Sequence, residues 1–165
     1  MHPCRRVGLD FFDSAPFRVT NSTELPIAAA QLFEVLTDVQ AWPRWFAVIT
    51  DAQWTSPAPH RAGSTRRITT RRGLEAVEEF IAWTPHSHLA FRLNESTNPR
   101  AGASAEQYRI ESTERGCKLT WTVAEDPIDP PWWARRTGRF AMNHVYRKAL
   151  KDLRSYTDQR FGFSV

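Results

Sequence analysis

Three side chains in this chain carry groups suited to proton transfer and stand among apolar residues. His144 borders the apolar stripe of a long C-terminal segment, where an imidazole can exchange protons near neutral pH unless its ring lies half in water. Tyr108 shares a strand face with Glu106 and Ile110, so its hydroxyl either donates to a ligand oxygen or marks the polar end of a core aromatic. Together with Glu79, these two residues are the candidate catalytic groups.

The role of Glu79 depends on which face of the predicted strand 74–84 points inward. Glu78 and Glu79 are adjacent, so only one of them can face the interior. In one phase Glu79 faces inward, and burial then raises its pKa toward the range of a useful acid or base. That phase also turns inward Val77, Ile81 and Trp83. The other phase leaves Glu79 in solvent and turns inward Ala76, Phe80 and Ala82.

Other catalytic and metal-binding patterns give little support to further chemistry. His86 and His88 have the spacing of two imidazole ligands on one strand face. Pro85 places them on a turn, however, and no neighbouring side chain completes an obvious ligand set. The sequence has no nucleophile-elbow serine or cysteine and no glycine-rich phosphate loop. We therefore expect no metal and no cofactor.

The elements that must position these residues follow a simple order. A strand is followed by an amphipathic helix that ends near Asp38, a short helical turn, a run of strands and one long helix. The strands are predicted at 17–25, 46–54, 64–70, 74–84, 88–94, 104–112 and 117–124. The helices are predicted at 26–38, 43–46 and 132–161. Short turns between successive strands indicate an antiparallel meander, which twists into a curved sheet.

One long amphipathic helix is the natural cover for the concave face of such a sheet. Its predicted apolar stripe consists of Met142, Val145, Tyr146, Ala149, Leu153 and Tyr156. Because a curved sheet and a rod-like helix do not fit each other closely, the gap between them is a candidate cavity. Trp42 and Trp45, three residues apart at the end of the first helix, either plug the core or wall that space.

Three stretches resemble one superfamily. They are "RVTNSTELPIAAAQLFEVLTDVQAWPRWFAVITDAQW" (18–54), "GLEAVEEFIAWTPHSHLAFRL" (73–93) and "GCKLTWTV" (116–123). They are similar to the SRPBCC, or START-like helix-grip, superfamily of polyketide cyclases/dehydrases, lipid-transfer domains and pollen-allergen-like proteins. The resemblance implies an α+β helix-grip fold, in which a curved antiparallel sheet of about seven strands wraps around a long C-terminal helix and two short helices follow the first strand. We expect one ligand-binding domain at 17–160, preceded by an N-terminal extension at 1–16.

The resemblance specifies the fold better than the function, so three functions stay open. The first is binding of a small hydrophobic molecule, whether aromatic, polyketide or lipid-like, in the cavity. The residues predicted to bind it are Trp45, Trp83, Phe91, Tyr108, Trp121, Phe140, Asn143 and His144. The second is a polyketide cyclase/aromatase or dehydratase-like enzyme that uses His144, Glu79 or Tyr108. The third is a partner-protein module that docks through arginine pairs and Phe11–Phe12.

Composition and charge limit the classes of partner that the chain is expected to have. The chain has 165 residues, 41% of them hydrophobic, and a net charge of +4, which suits one globular domain. It shows no nucleic-acid-binding signature and no apolar run near the ~18 residues of a membrane span. The two cysteines, Cys4 and Cys117, give no disulfide framework. We expect a cytoplasmic protein with no nucleic-acid partner and no integral membrane association. A homodimer is compatible with the sequence, which leaves the oligomeric state open.

Overall fold

The structure is a computed structural model that describes residues 1–162, apart from the side chains of residues 133–136. Its strands are β1 (His2–Pro3), β2 (Phe17–Leu25), β3 (Ile49–Trp54), β4 (Thr65–Thr70), β5 (Glu75–Thr84), β6 (His88–Ser96), β7 (Ala103–Thr113) and β8 (Gly116–Asp126). Its helices are α1 (Phe11–Ser14), α2 (Ala29–Thr37), α3 (Trp42–Trp45) and α4 (Trp132–Phe161).

Seven strands form one antiparallel sheet in the order β2-β8-β7-β6-β5-β4-β3, and the two-residue β1 pairs with β6. Each neighbouring pair from β3 to β8 is a hairpin, and β2 closes the sheet against β8 from Phe17↔Glu125 to Leu25↔Cys117. The hairpin turn at Gly73 and the turn at Gly116 both need a positive φ, which glycine adopts without strain. The predicted α+β helix-grip fold is confirmed.

The inner face of the sheet carries the main core, which α2, α3 and the second half of α4 cover. Trp42 and Trp45 are each 1% exposed, with ring centroids 4.7 Å apart. The Trp42 indole N–H donates to the carbonyl oxygen of Leu36, 3.0 Å away, so its polar atom is satisfied inside the core. Both tryptophans therefore anchor α3 to the sheet. Burying each aromatic side chain contributes roughly 1.5–3 kcal/mol.

Part of the outer face of the sheet is covered by residues of the N-terminal segment, which was predicted as an extension at 1–16. Val7, Phe11 and Phe12 are buried against a patch of small side chains on three strands, Ala90, Ala103, Ala105 and Ala124. The small alanines leave room for the two phenylalanine rings at the surface of the sheet. Backbone hydrogen bonds fix the extension, since the N–H of Cys4 donates to the Asn94 carbonyl (2.9 Å) and that of Arg5 to Gly102 (2.7 Å).

The stripe of α4 differs in part from the predicted one. Ala149, Leu150 and Leu153 are buried, and Tyr146 and Tyr156 are half-buried. Val145 is 39% exposed, and Leu150, which was not predicted, lies on the buried face instead. Earlier in the helix, Trp132 and Phe140 are 76% and 78% exposed, so these two side chains are not packed on the sheet.

The burial pattern and one register shift decide the inward face of β5. Ala76, Glu78 and Phe80 are buried, which corresponds to the predicted phase that leaves Glu79 outside. The pairing of β5 with β6 shifts register between Phe80 and Ala82, so the alternation is broken there. Beyond that point Trp83 packs on the inner-face core while Ala82 packs on the outer-face cluster. The strand thus uses one predicted phase before the bulge and the other after it.

Candidate functional site

A cavity of about 260 Å³ lies at one end of the inner face, between the sheet, α3 and α4. Antiparallel pairing brings the start of β5, the end of β6, the start of β7 and the end of β8 to this end. Buried Trp42, Ala76 and Glu78 form its inner wall, and Tyr146 borders it from α4. Exposed residues on three separate segments mark its mouth, namely Val48, Leu74 and Arg100.

A buried ion pair stands at the wall of the cavity. Arg66 on β4 and Glu78 on β5 are cross-strand neighbours, and the Arg66 Nε atom lies 2.6 Å from the Glu78 Oε2 atom. The side chains are 1% and 3% exposed. The guanidinium carbon is 4.1 Å from the ring centroid of Trp42 and 4.5 Å from that of Phe91, which gives it cation–π contacts in place of water. Its Nη1 and Nη2 atoms have no hydrogen-bond partner among the described residues.

A second carboxylate, Glu106 on β7, is held by two hydrogen bonds. The Tyr108 hydroxyl and the Trp121 indole N–H both donate to its Oε2 atom, each at 2.8 Å. Tyr108 and Trp121 are 1% exposed and stack with centroids 5.0 Å apart. Glu106 lies inside the domain and still keeps accessible surface, because it borders the cavity. Its carboxyl group is therefore fixed in orientation and open to a guest.

The pKa values of the cavity acids are shifted by their surroundings. Burial raises the pKa of Glu106 to about 7, and the charge of Glu78 adds to this rise, while the hydrogen bonds from Tyr108 and Trp121 oppose it. Burial also raises the pKa of Glu78, against the opposing effect of Arg66. Glu125, which lines the same cavity from β8, has its pKa raised by burial as well. These acids can therefore hold protons at higher pH than exposed glutamates.

Tyr146 completes the polar side of the cavity. It faces the sheet from α4, with its ring centroid 4.8 Å from that of Trp121 and 5.9 Å from that of Phe46. Burial raises the pKa of Tyr146 well above its ordinary value, and the charge of Glu106 adds to the rise. Its hydroxyl therefore stays protonated at neutral pH and can donate. A general acid–base group near pH 7 and a hydroxyl donor thus face one small space.

The eight predicted ligand-binding residues lie in three places, and none of these eight borders the cavity itself. Tyr108 and Trp121 stand directly behind it, joined to it through Glu106. Three others belong to the aromatic core on the inner face, namely Trp45, Trp83 and Phe91. The remaining three, Phe140, Asn143 and His144, line a shallow depression on the surface of α4.

The three candidate catalytic residues are not brought together. Tyr108 is inside, bonded to Glu106. Glu79 lies on the opposite face of β5, where Asn94 and Arg92 donate to its Oε2 atom at 2.8 and 3.1 Å. Burial tends to raise the pKa of Glu79, but these hydrogen bonds and the charge of Arg92 outweigh it, so that the pKa is lowered. His144 is exposed on α4.

The residues that sequence reasoning missed are Arg66, Glu78, Glu106 and Tyr146. One signal was available for Glu106, since it alternates in phase with Tyr108 and Ile110, both of which are buried. An acidic residue that alternates with apolar residues along a strand is expected to lie on the buried face of that strand. For Arg66 and Glu78 the signal is their cross-strand register, which becomes visible only when β4 is paired with β5.

The structure gives no counterpart to a metal site within residues 1–162. No group of three or more described histidine, cysteine or acidic side chains is arranged to hold an ion. His86 sits in the turn between β5 and β6 with a φ of 63°, and its ring packs edge-on against Phe33. Cys4 and Cys117 are both free thiols. Among the described residues, the helices are too short or too polar to cross a membrane.

Comparison with known proteins shows the family to which the chain belongs. Residues 16–157 match the model of a family described as "polyketide cyclase / dehydrase and lipid transport". An uncharacterised protein of Mycobacterium tuberculosis is 48% identical over 162 residues, which cover 98% of this chain and 97% of that protein. An uncharacterised protein of Mycobacterium bovis has the same identity and coverage.

Solved structures share the fold at low sequence identity. A START superfamily protein from Mycobacterium smegmatis superposes with a TM-score of 0.73 at 12% identity, covering 86% of this chain and 97% of that one. A Mesorhizobium loti protein gives a TM-score of 0.68 at 16% identity, with the same two coverages. These likenesses concern the fold alone. The resemblance expected from the sequence is confirmed by the family match.

Proposed function

Because this chain belongs to the polyketide cyclase/dehydrase and lipid-transport family, we propose that it binds one small, largely apolar molecule in the cavity between its sheet and α4. The observation that carries the proposal is the cavity of about 260 Å³, with apolar side chains and a few fixed polar groups in its walls. That combination is typical of small-molecule sites, in which apolar burial supplies affinity and polar groups set orientation.

The size of the cavity limits the guest. Its volume lies just below the usual range of about 300–1,000 Å³ for drug-sized ligands. One or two fused aromatic rings suit it better than a two-chain lipid. Apolar contacts with Trp42, Phe46 and Ile68 bury the ring system, at roughly 25 cal/mol per Å² of apolar area removed from water.

The test is a calorimetric titration of 2-naphthalenemethanol, a neutral two-ring probe, into the wild-type protein and two variants. Ala76 is buried in the cavity wall, so Ala76→Leu fills the space. Ala62→Leu makes the same exchange at an exposed position and serves as the matched control. We expect binding to the wild type and Ala62→Leu, and affinity at least about tenfold weaker for Ala76→Leu. Equal affinity for all three proteins would place the probe elsewhere.

Acid–base catalysis on the bound guest is a second function, and Glu106 is the observation that favours it. Its pKa of about 7 suits proton transfer at neutral pH, and it faces the same space as the Tyr146 hydroxyl. Removal of a proton next to a carbonyl by Glu106, with Tyr146 donating to the carbonyl oxygen, is the elementary step of aldol cyclisation and of dehydration.

This second function is tested with 1-tetralone, a two-ring ketone, in deuterated buffer. If Glu106 removes the proton next to the carbonyl, the wild-type protein accelerates deuterium incorporation at that carbon, as read by proton NMR. Glu106→Gln then loses the acceleration, by roughly the 10²–10⁴-fold that a positioned base contributes. Glu79→Gln, altered on the outer face, keeps it. If the wild-type protein incorporates deuterium no faster than buffer alone, catalysis is contradicted and binding remains as the proposed function.

A further inference from the structure

We propose that the guest presents a hydrogen-bond donor, a protonated amine or a hydroxyl group, to the polar wall of the cavity, and that carboxylates and phosphates are rejected. This inference rests on the proposed function, since it concerns the chemistry of the molecule held in the same cavity. It follows from the charges in the wall, from the arrangement of Arg66 and from the way in which Glu106 is held.

The wall is acidic. Four glutamates border the cavity, namely Glu75, Glu78, Glu106 and Glu125. Among the described lining residues the only cation is Arg100, which is exposed at the mouth. When these carboxyl groups are ionised, they repel a second anion, whereas a cation or a neutral donor is attracted.

Arg66 does not offset this charge for a guest. Its Nε atom is bonded to Glu78, and its guanidinium is enclosed by the rings of Trp42, Phe80 and Phe91 at 4.1, 5.2 and 4.5 Å. Arg66 is 1% exposed and does not border the cavity. Its positive charge mainly compensates Glu78, and its opposing effect on the pKa of Glu106 is smaller than the rise caused by burial. Neither Glu106 nor Glu125 forms an ion pair among the described residues.

Glu106 is arranged as an acceptor. Tyr108 and Trp121 donate to it from the core side, and the Tyr146 side chain also reaches it from α4. An ionised carboxylate accepts about four hydrogen bonds, so these contacts leave room for a donor from the guest. A guest with an N–H or O–H group can donate a further hydrogen bond to Glu106. A guest carboxylate has only acceptor oxygens and cannot donate one.

The test compares three probes that share one ring system, 2-naphthylmethylamine, 2-naphthalenemethanol and 2-naphthoic acid. Calorimetric titrations at pH 8.0 keep Glu106 mainly ionised, since this pH is above its pKa of about 7. We expect the amine and the alcohol to bind the wild-type protein at least about tenfold more tightly than the acid. Acid binding as tight as amine binding would overturn the inference and leave the proposed function standing. No binding of any probe would contradict the proposed function itself.

Two variants test whether the glutamates of the cavity wall cause the preference for the amine over the acid. Glu106→Gln keeps the size of the side chain and removes its charge, and we expect the ratio of amine to acid affinity to fall at least about fivefold. Glu125→Gln, which removes a second wall charge, shifts the ratio in the same direction and provides a result if the first variant does not fold. Glu79→Gln, on the outer face, leaves it unchanged. An unchanged ratio in both wall variants would overturn the inference.

Discussion

Glu106→Gln tests whether a carboxyl group inside the cavity titrates near pH 7. The folded protein raises the pKa of Glu106 from its ordinary 4.5 to about 7, chiefly through burial. Between these two values the folded state binds a proton that the unfolded state has released. Stability from this group is therefore fully present below about pH 4.5 and is lost as the pH rises through 7. The glutamine variant has no such dependence.

The size of the effect follows from the two pKa values. Each pKa unit corresponds to about 1.36 kcal/mol of free energy, so a rise from 4.5 to about 7 corresponds to roughly 3 kcal/mol. Glu78 and Glu125 also have raised pKa values, but they are present in both proteins. Their contribution largely cancels when the free energy of unfolding of the variant is subtracted from that of the wild type.

The assay is urea unfolding followed by tryptophan fluorescence at several pH values from 4.5 to 8. We expect the free energy of unfolding of the wild type, relative to Glu106→Gln, to fall by roughly 3 kcal/mol across this range. Glu79→Gln is the control, since the pKa of Glu79 is lowered and its contribution is lost only at pH below about 4.5. A wild-type-minus-Glu106→Gln difference that stays constant within about 0.5 kcal/mol would refute the reasoning.

Other substitutions test the packing around the site. Arg66→Met leaves Glu78 buried and unpaired, and should lower the free energy of unfolding by about 3–5 kcal/mol, most of which Arg66→Met combined with Glu78→Leu should restore in urea titrations. Trp121→Ala should cost about 3–5 kcal/mol and weaken retention of the guest, and unchanged stability would mean that the inward face of β8 is misassigned. Phe12→Ala, which removes a buried ring of the N-terminal segment, should lower the free energy of unfolding by about 3 kcal/mol. Phe140→Ala, at an exposed position, should change it by less than about 0.5 kcal/mol. Equal shifts in thermal stability for the two variants would contradict the packing of residues 1–16.

Most of the fold could be predicted from the sequence, because its signals are local. Alternating apolar residues and short glycine turns place seven strands, and the predicted strand 17–25 agrees with β2 at Phe17–Leu25. The 3.6-residue period of α2 and the proline after Trp42 mark the two short helices. Each of these features is determined by residues within a few positions of one another.

The site could not be predicted in the same way, because it depends on pairing between distant segments. Whether Glu78 or Glu79 faces inward is set by the phase of β5 and a bulge after Phe80, neither of which alternation alone reveals. Arg66 meets Glu78 only through the register of β4 with β5. His144 borders an apolar stripe in sequence, yet its part of α4 leaves large side chains exposed.

Some expectations stay predictions. They are the binding of a small hydrophobic guest, the cytoplasmic location and the absence of a nucleic-acid partner. The proposed catalytic role of Tyr108 also stays a prediction. In the structure the Tyr108 hydroxyl contacts the cavity wall through its hydrogen bond to Glu106. That hydrogen bond makes Tyr108 a positioning residue for the carboxyl group in the cavity wall.

The claim on which this account depends is that the cavity holds a guest, and native mass spectrometry of gently purified protein tests it most directly. The account predicts a small, mainly aromatic molecule bound at one copy per chain, lost on denaturation and depleted in Ala76→Leu while Ala62→Leu retains it. The same bound mass and occupancy in all three proteins would contradict it, since a molecule indifferent to a filled cavity is held somewhere else.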